Sequence, residues 1–229
     1  MLWMKGWLES RWRLAMALGI ILLTLGGRYA VGVTSAEDAH RMMGAFGTLC
    51  IFASCFVAGS GIKTQPAFRE TRGMSGSVYF TLSLPVSRLR LLCVRACLGL
   101  LEGWAVTLIV GCGTWILFPL VRGNSTPWDL VQFVMAAFAF LSVFHAIAVV
   151  FGTFLDDVLA VMSSVGAFIF LFWLSTRIAL PRSINIFRAC NEDSPLLTHT
   201  LAWSQVAVSV ALAGMLFVLA NKIIAAREY

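Results

Sequence analysis

Few residues in this chain are equipped for chemistry, and their neighbours say which chemistry is open to them. Ser75 stands in Gly73-Met74-Ser75-Gly76, a spacing that could present a serine nucleophile, provided a histidine base lies within about 3 Å of it. Histidines stand at 40, 145 and 199. Only His145 falls in a stretch apolar enough for a membrane interior, where it reads as a polar residue held between helices, whereas Ser75 falls in a basic loop. Gly59-Ser60-Gly61-Ile62-Lys63-Thr64 is the nearest approach to a phosphate-cradling loop. Such a loop ends Gly-Lys-Ser/Thr after a buried strand, and here Ile62 replaces the glycine and an apolar helical stretch replaces the strand. Nucleotide hydrolysis is therefore expected in a separate subunit, not in this chain. Cysteines at 50, 55, 93, 97, 112 and 190 form no CxxC pair and no zinc-type spacing, so no metal site and no disulfide framework are implied.

One acid stands out. Glu102 lies well inside an apolar run, where an ionisable group costs at least ~2.5–3.5 kcal/mol unless it is paired or watered. It is expected to face protein or a cavity. A link to Arg95, seven residues earlier on the same helical face, or to a neighbouring helix is the structural account; a polar element of a transport route or its inner gate is the functional one. Gly99, Gly103, Thr107 and Gly111 recur every four residues on the same run, a stripe that lets another backbone approach closely. Spacing alone leaves open whether that neighbour belongs to this chain or to a second copy.

The elements that carry these residues follow from composition. The 229 residues are 59% hydrophobic and 12% charged, against roughly 45–50% apolar and about 25% charged for a soluble domain. A soluble surface cannot hide that surplus, whereas a bilayer accepts apolar side chains on the outside. The fold class expected is an all-α membrane protein, since a spanning helix needs about 20 mostly apolar residues and six such stretches occur, at 14–33, 42–62, 91–121, 128–151, 158–180 and 201–220. The first is interrupted by Arg28, which can snorkel to the headgroups from a helix end. It also has the shape of a signal peptide, with Thr34-Ser35-Ala36 as a cleavage site, but is read as a retained anchor. Before it, Trp3, Trp7 and Trp12 alternate with Lys5, Arg11 and Arg13, so residues 1–13 read as an interfacial amphipathic helix.

With the N-terminus inside, eleven of the 17 Lys and Arg residues fall on the cytoplasmic side, which predicts both termini in the cytoplasm. The net charge of +6 then reads as an inner-leaflet bias with no need for nucleic acid. Two connections are long: a cytoplasmic segment, 63–90, and an external one, 181–200, which reads as a short cap or re-entrant element. Asp156 and Asp157 fill the short turn after the fourth stretch.

The cytoplasmic segment is the most informative. Gly73 and Gly76 punctuate it, Val78 to Leu84 is apolar enough to lie on a membrane or in a partner's groove, and Pro85 ends that run before Ser87 caps the next helix. Arg88 and Arg90 then sit at headgroup level. Ser83-Leu84-Pro85-Val86-Ser87-Arg88, with Gly76 nine residues before Pro85, resembles the coupling region of the type-2 family of ATP-binding-cassette exporter permeases. The resemblance is specific over residues 70–90 and loose elsewhere; Tyr79 stands where the family commonly has an acidic residue. It implies contact with a cytoplasmic ATPase through Glu70, Arg72, Gly76, Tyr79, Pro85 and Arg88, with ATP and magnesium bound by that partner. It further implies pairing with a second permease copy or a related permease, a place in the cell's inner (plasma) membrane, and export; an apolar, narrow route with few charges would suit a hydrophobic or amphipathic substrate, with Glu102, Gly99, Gly103 and Gly111 read from their own setting as candidates for the route or helix interface. Two rival readings remain: a rhomboid-type intramembrane protease, whose nucleophile pattern Gly73–Gly76 also matches, and a membrane scaffold or sensor that keeps the ATPase but moves no solute.

Overall fold

The computed structural model describes residues 2–32, 38, 45, 49, 53–54, 66–69, 73–76, 87–155, 157–178, 180–181, 183–188 and 193–226. Five helices in it are long and apolar enough to cross a membrane. They lie in α1 (Leu2–Val31), α2 (Arg88–Leu117), α4 (Pro127–Phe154), α5 (Asp157–Arg177) and α7 (Trp203–Ala226). Short elements join them: α3 (Pro119–Asn124), a 3-10 turn (Ile186–Arg188) and α6 (Pro195–Thr198). Strands β1 (Pro66–Arg69) and β2 (Gly73–Gly76) pair antiparallel, with Pro66 opposite Gly76 and Arg69 opposite Gly73.

Most of the expected second span, 42–62, lies outside the described residues. Ala45, Leu49, Ala53 and Ser54 are described, and all four are helical. Leu49 and Ala53, four residues apart, pack with α1, α2 and α4 in one apolar cluster.

Two boundaries differ from expectation for clear reasons. The third stretch does not run to residue 121. Pro119 disfavours the helical conformation at the residue before it, so Phe118 turns extended (φ −110°, ψ 97°) and the proline opens α3 at its first turn. No break separates residues 1–13 from the first span either. The helix continues unbroken over 30 residues, about 45 Å at 1.5 Å per residue, well beyond a hydrocarbon core of about 30 Å. The fourth and fifth spans shift by one to three residues at each end, and the last runs on six residues, to Ala226.

Helix α4 is the centre of the bundle. Of its most apolar window, 78% is buried inside the protein, against 17–22% for α1, α5 and α7, so these three leave most of their surface uncovered by the rest of the bundle. Helices α2, α5 and α7 pack on α4, and α1 packs on α2. The order follows from side-chain size. Phe140 and Phe144 of α4 meet Phe168 of α5 and Phe187 of the 3-10 turn edge-on, at 5.4–5.9 Å between ring centres, within the favoured range for aromatic pairs. On the α2 side Gly103 and Gly111 let the two helices come close.

Candidate functional site

The small-residue stripe on α2 finds its partner within this chain. A Cβ on Gly103 would be driven into the side chain of Leu141, and one on Gly111 would lie 2.8 Å from Val134 Cγ2 and 3.3 Å from Leu130 Cδ1. All three obstacles stand on α4. Between the glycines, Thr107 is fully buried and its hydroxyl donates back to the Trp104 carbonyl at 2.9 Å, so no polar atom disturbs the contact. Gly99 is buried on the same face. Gly113, on another face, approaches Leu25 of α1 (3.2 Å from a Cβ position). Helix α2 is thus wedged between α1 and α4.

Glu102 is buried, at 4% exposure. The Ser10 hydroxyl of α1, itself buried, donates to Glu102 Oε1. Of the two structural alternatives open in the sequence, the tie to a neighbouring helix is therefore present. It comes from the segment expected to lie in the interface, so the amphipathic start of α1 is stitched to α2 at the acid. Arg95, two turns earlier on α2, is also buried.

His145 sits one layer further in. Its Nε2 lies 3.1 Å from the Ala96 carbonyl of α2. A carbonyl only accepts, so Nε2 carries the proton. The other nitrogen, Nδ1, is buried without a hydrogen-bond partner among the described residues, and the ring lies 5.9 Å from that of Phe217 on α7. The expectation of a satisfied polar residue between helices is met on one nitrogen only.

Of the segment 63–90, the strands at 66–69 and 73–76 and the end, 87–90, are described. Ser87 is extended (φ −61°, ψ 142°) and its hydroxyl accepts from the Arg90 N–H at 3.3 Å, so it caps α2 as the sequence indicates. Arg88 is the first residue of α2. Gly76 closes β2 opposite Pro66, and Gly73 opens it, so these glycines bound a strand where loop punctuation was expected. Ser75 lies on that strand opposite Ala67. Glu70, Arg72, Tyr79 and Pro85 lie outside the described residues, as do His40, Cys190 and Asp156.

A second polar cluster gathers at the other end of the bundle. Thr126 and Asp129 form a capping box at the start of α4. The Thr126 N–H donates to Asp129 Oδ2 at 2.7 Å, and the Asp129 N–H to the Thr126 hydroxyl at 3.2 Å. His199 Nδ1, at the left-handed end of α6, reaches the same carboxylate oxygen at 2.9 Å. Beside it, Gln205 of α7 donates to the buried Asp193 at 2.9 Å, and Arg188 Nε lies 3.4 Å from the same oxygen. A cleft of about 520 Å³ opens there between Ser183, Thr200 and Ser204. The capping box was legible as Thr-Pro-Trp-Asp ahead of an apolar run; nothing local marks Asp193 or Gln205, whose contacts join distant parts of the chain.

Among the described residues no group of three or more His, Cys, Asp or Glu side chains could hold a metal ion. No family model, no curated protein and no solved structure matches the chain. What the described geometry offers is mechanical. One helix, capped by Ser87, is locked to α4 by glycine contacts and to α1 by a buried hydrogen bond.

Proposed function

We propose that the chain is the transmembrane subunit of an ATP-driven exporter. It would have six spanning helices, an interfacial start to α1 and both termini in the cytoplasm, and would pair with a second copy in the inner membrane. A separate cytoplasmic ATPase would bind residues 70–90 and supply the energy. The observation that supports this best is the join at Ser87. The permease-like motif Ser83–Arg88 runs without a spacer into α2, so a push on the motif is a push on the helix wedged between α1 and α4. Closure of the ATPases on ATP would then tilt α2 with its neighbours as a body, and alternate the access of the dimer interface or squeeze substrate outward. The weakly buried, apolar surfaces of α1, α5 and α7 suit a hydrophobic or amphipathic substrate that approaches from lipid.

The test is transport in sealed vesicles that hold the chain and its ATPase. Wild type should move a solute only with ATP. Arg88→Glu, or a bulky residue at Gly76, should leave ATP hydrolysis running while transport falls at least tenfold. Full transport in both variants would remove the coupling role, and ATP turnover with no solute moved by wild type would favour the scaffold or sensor reading.

A further inference from the structure

Between the first turns of α2 and the last turns of α7 runs an apolar groove of about 310 Å³. On α2 it is lined by Leu89, Leu92, Cys93, Ala96, Cys97 and Leu100, positions that recur on a single helical face. Phe217 and Val218 of α7 form the opposite wall, with Asn221 at its end. The floor is closed, because Leu92 and Ala96 pack with Val149 of α4 and Ala220 of α7 in a buried cluster. From Leu89 to Leu100 the groove follows α2 for about 16 Å, close to the hydrocarbon depth of one leaflet, about half of 30 Å. Where α2 begins and α7 ends, the lining gives way to charge. Arg90 follows Leu89, Lys222 follows Asn221, and both are exposed.

We propose that this groove holds an acyl chain of an anionic phospholipid whose headgroup rests against Arg90 and Lys222. The length of the apolar wall matches one leaflet, and the exposed charges, Arg90 and Lys222, stand at its headgroup end. A zwitterionic lipid would satisfy the wall but gain little from the two cations, whereas each basic residue near a membrane surface adds roughly fivefold to the affinity for an anionic lipid. Cys93 and Cys97, both exposed, lie along the path of the bound chain. The site depends on the membrane placement of the bundle and not on the exporter reading, since a lipid there would brace α2 against α7 whatever the protein moves.

The experiment is native mass spectrometry of the full chain in detergent, with phosphatidylglycerol and phosphatidylcholine of identical acyl chains. Wild type should retain phosphatidylglycerol by about 25-fold over phosphatidylcholine. The exposed double substitution Arg90→Gln/Lys222→Gln should abolish that preference, and Cys97→Trp, which fills the groove, should release the tightly held lipid with helicity unchanged. Should Cys97→Trp fail to fold, a variant with Cys97 as its sole cysteine serves instead. Its alkylation by N-ethylmaleimide should slow at least fivefold with phosphatidylglycerol and not with free glycerol phosphate. Equal retention of both lipids by wild type overturns the proposal. So does a folded Cys97→Trp that keeps the preference, equal protection by glycerol phosphate, or a lipid-free dimer that Cys97→Trp dissociates.

Discussion

Alanine at Gly103 should weaken this protein even though alanine is the better helix former. The new methyl would overlap Leu141, whose Cγ and Cδ1 lie 3.5 Å from the Cβ position and whose Cδ2 is closer still. Leu141 is fully buried, so any shift of its side chain is made against packed neighbours. Overpacking of this kind costs about 1–3 kcal/mol, and the gain in helix propensity returns about 1 kcal/mol, which leaves a net loss of about 0–2 kcal/mol. Gly111→Ala should fall at the upper end of that range, since its obstacle at 2.8 Å is the β-branched Val134, a side chain with a single preferred rotamer in a helix. Gly166→Ala on α5 is the control. Nothing lies within 4 Å of its Cβ position, so it should be neutral or stabilising by up to about 1 kcal/mol. The decisive variant is the double, Gly103→Ala/Leu141→Ala. Leu141→Ala alone should cost about 2–5 kcal/mol through its cavity, and the methyl introduced by Gly103→Ala should fill part of that space, so the pair should cost less than the sum of the singles by at least about 0.5 kcal/mol. Equilibrium unfolding in mixed micelles, followed by far-UV circular dichroism, measures all four corners. An additive cycle, with Gly103→Ala changing the oligomeric state in place of the stability, would show that the stripe faces a second copy and that the α2–α4 contact has been misassigned.

Other outcomes follow from the same contacts. Ser10→Ala removes a donor to buried Glu102 and should cost about 0.5–1.5 kcal/mol in the same assay; a silent variant would show that the α1–α2 stitch contributes nothing. Asp129→Ala strips the capping box and the His199 contact together and should cost about 0.5–2 kcal/mol. His199→Gln should cost under about 1 kcal/mol, because the histidine is 54% exposed; a larger loss for His199→Gln than for Asp129→Ala would reverse the assigned roles. For the orientation, a variant with Cys190 as its sole cysteine should react with a membrane-impermeant maleimide added outside intact cells. Labelling only after the membrane is opened would invert the topology.

The five long helices were legible because each is an apolar run longer than about 20 residues, a signal that needs no knowledge of tertiary neighbours. Their ends were legible only where a residue acts locally. Ser87 does so as a cap, and Pro119 explains why the third run stops early, though hydropathy reads straight through it. The glycine stripe announced close packing but not its partner, since spacing every four residues says what a face permits and nothing about who occupies it. Leu141 and Val134 supply that answer from a different helix. Glu102 announced that it needed company; Ser10, 92 residues away in sequence, carries no mark of that role. Asp193, Gln205 and His199 were invisible for the same reason, as their meaning lies in contacts that only the folded chain creates. The continuity of α1 was missed because charge and tryptophan suggest an interface, while nothing between Arg13 and Leu14 breaks a helix.

The account rests most heavily on a partner that hydrolyses ATP. Affinity purification of the full chain from its native membrane, with nucleotide turnover measured in the eluate, tests this directly. The expected result is a co-purifying ATPase near one-to-one stoichiometry whose turnover persists when the chain carries Arg88→Glu. A chain that emerges with no nucleotide-hydrolysing partner would contradict the permease reading.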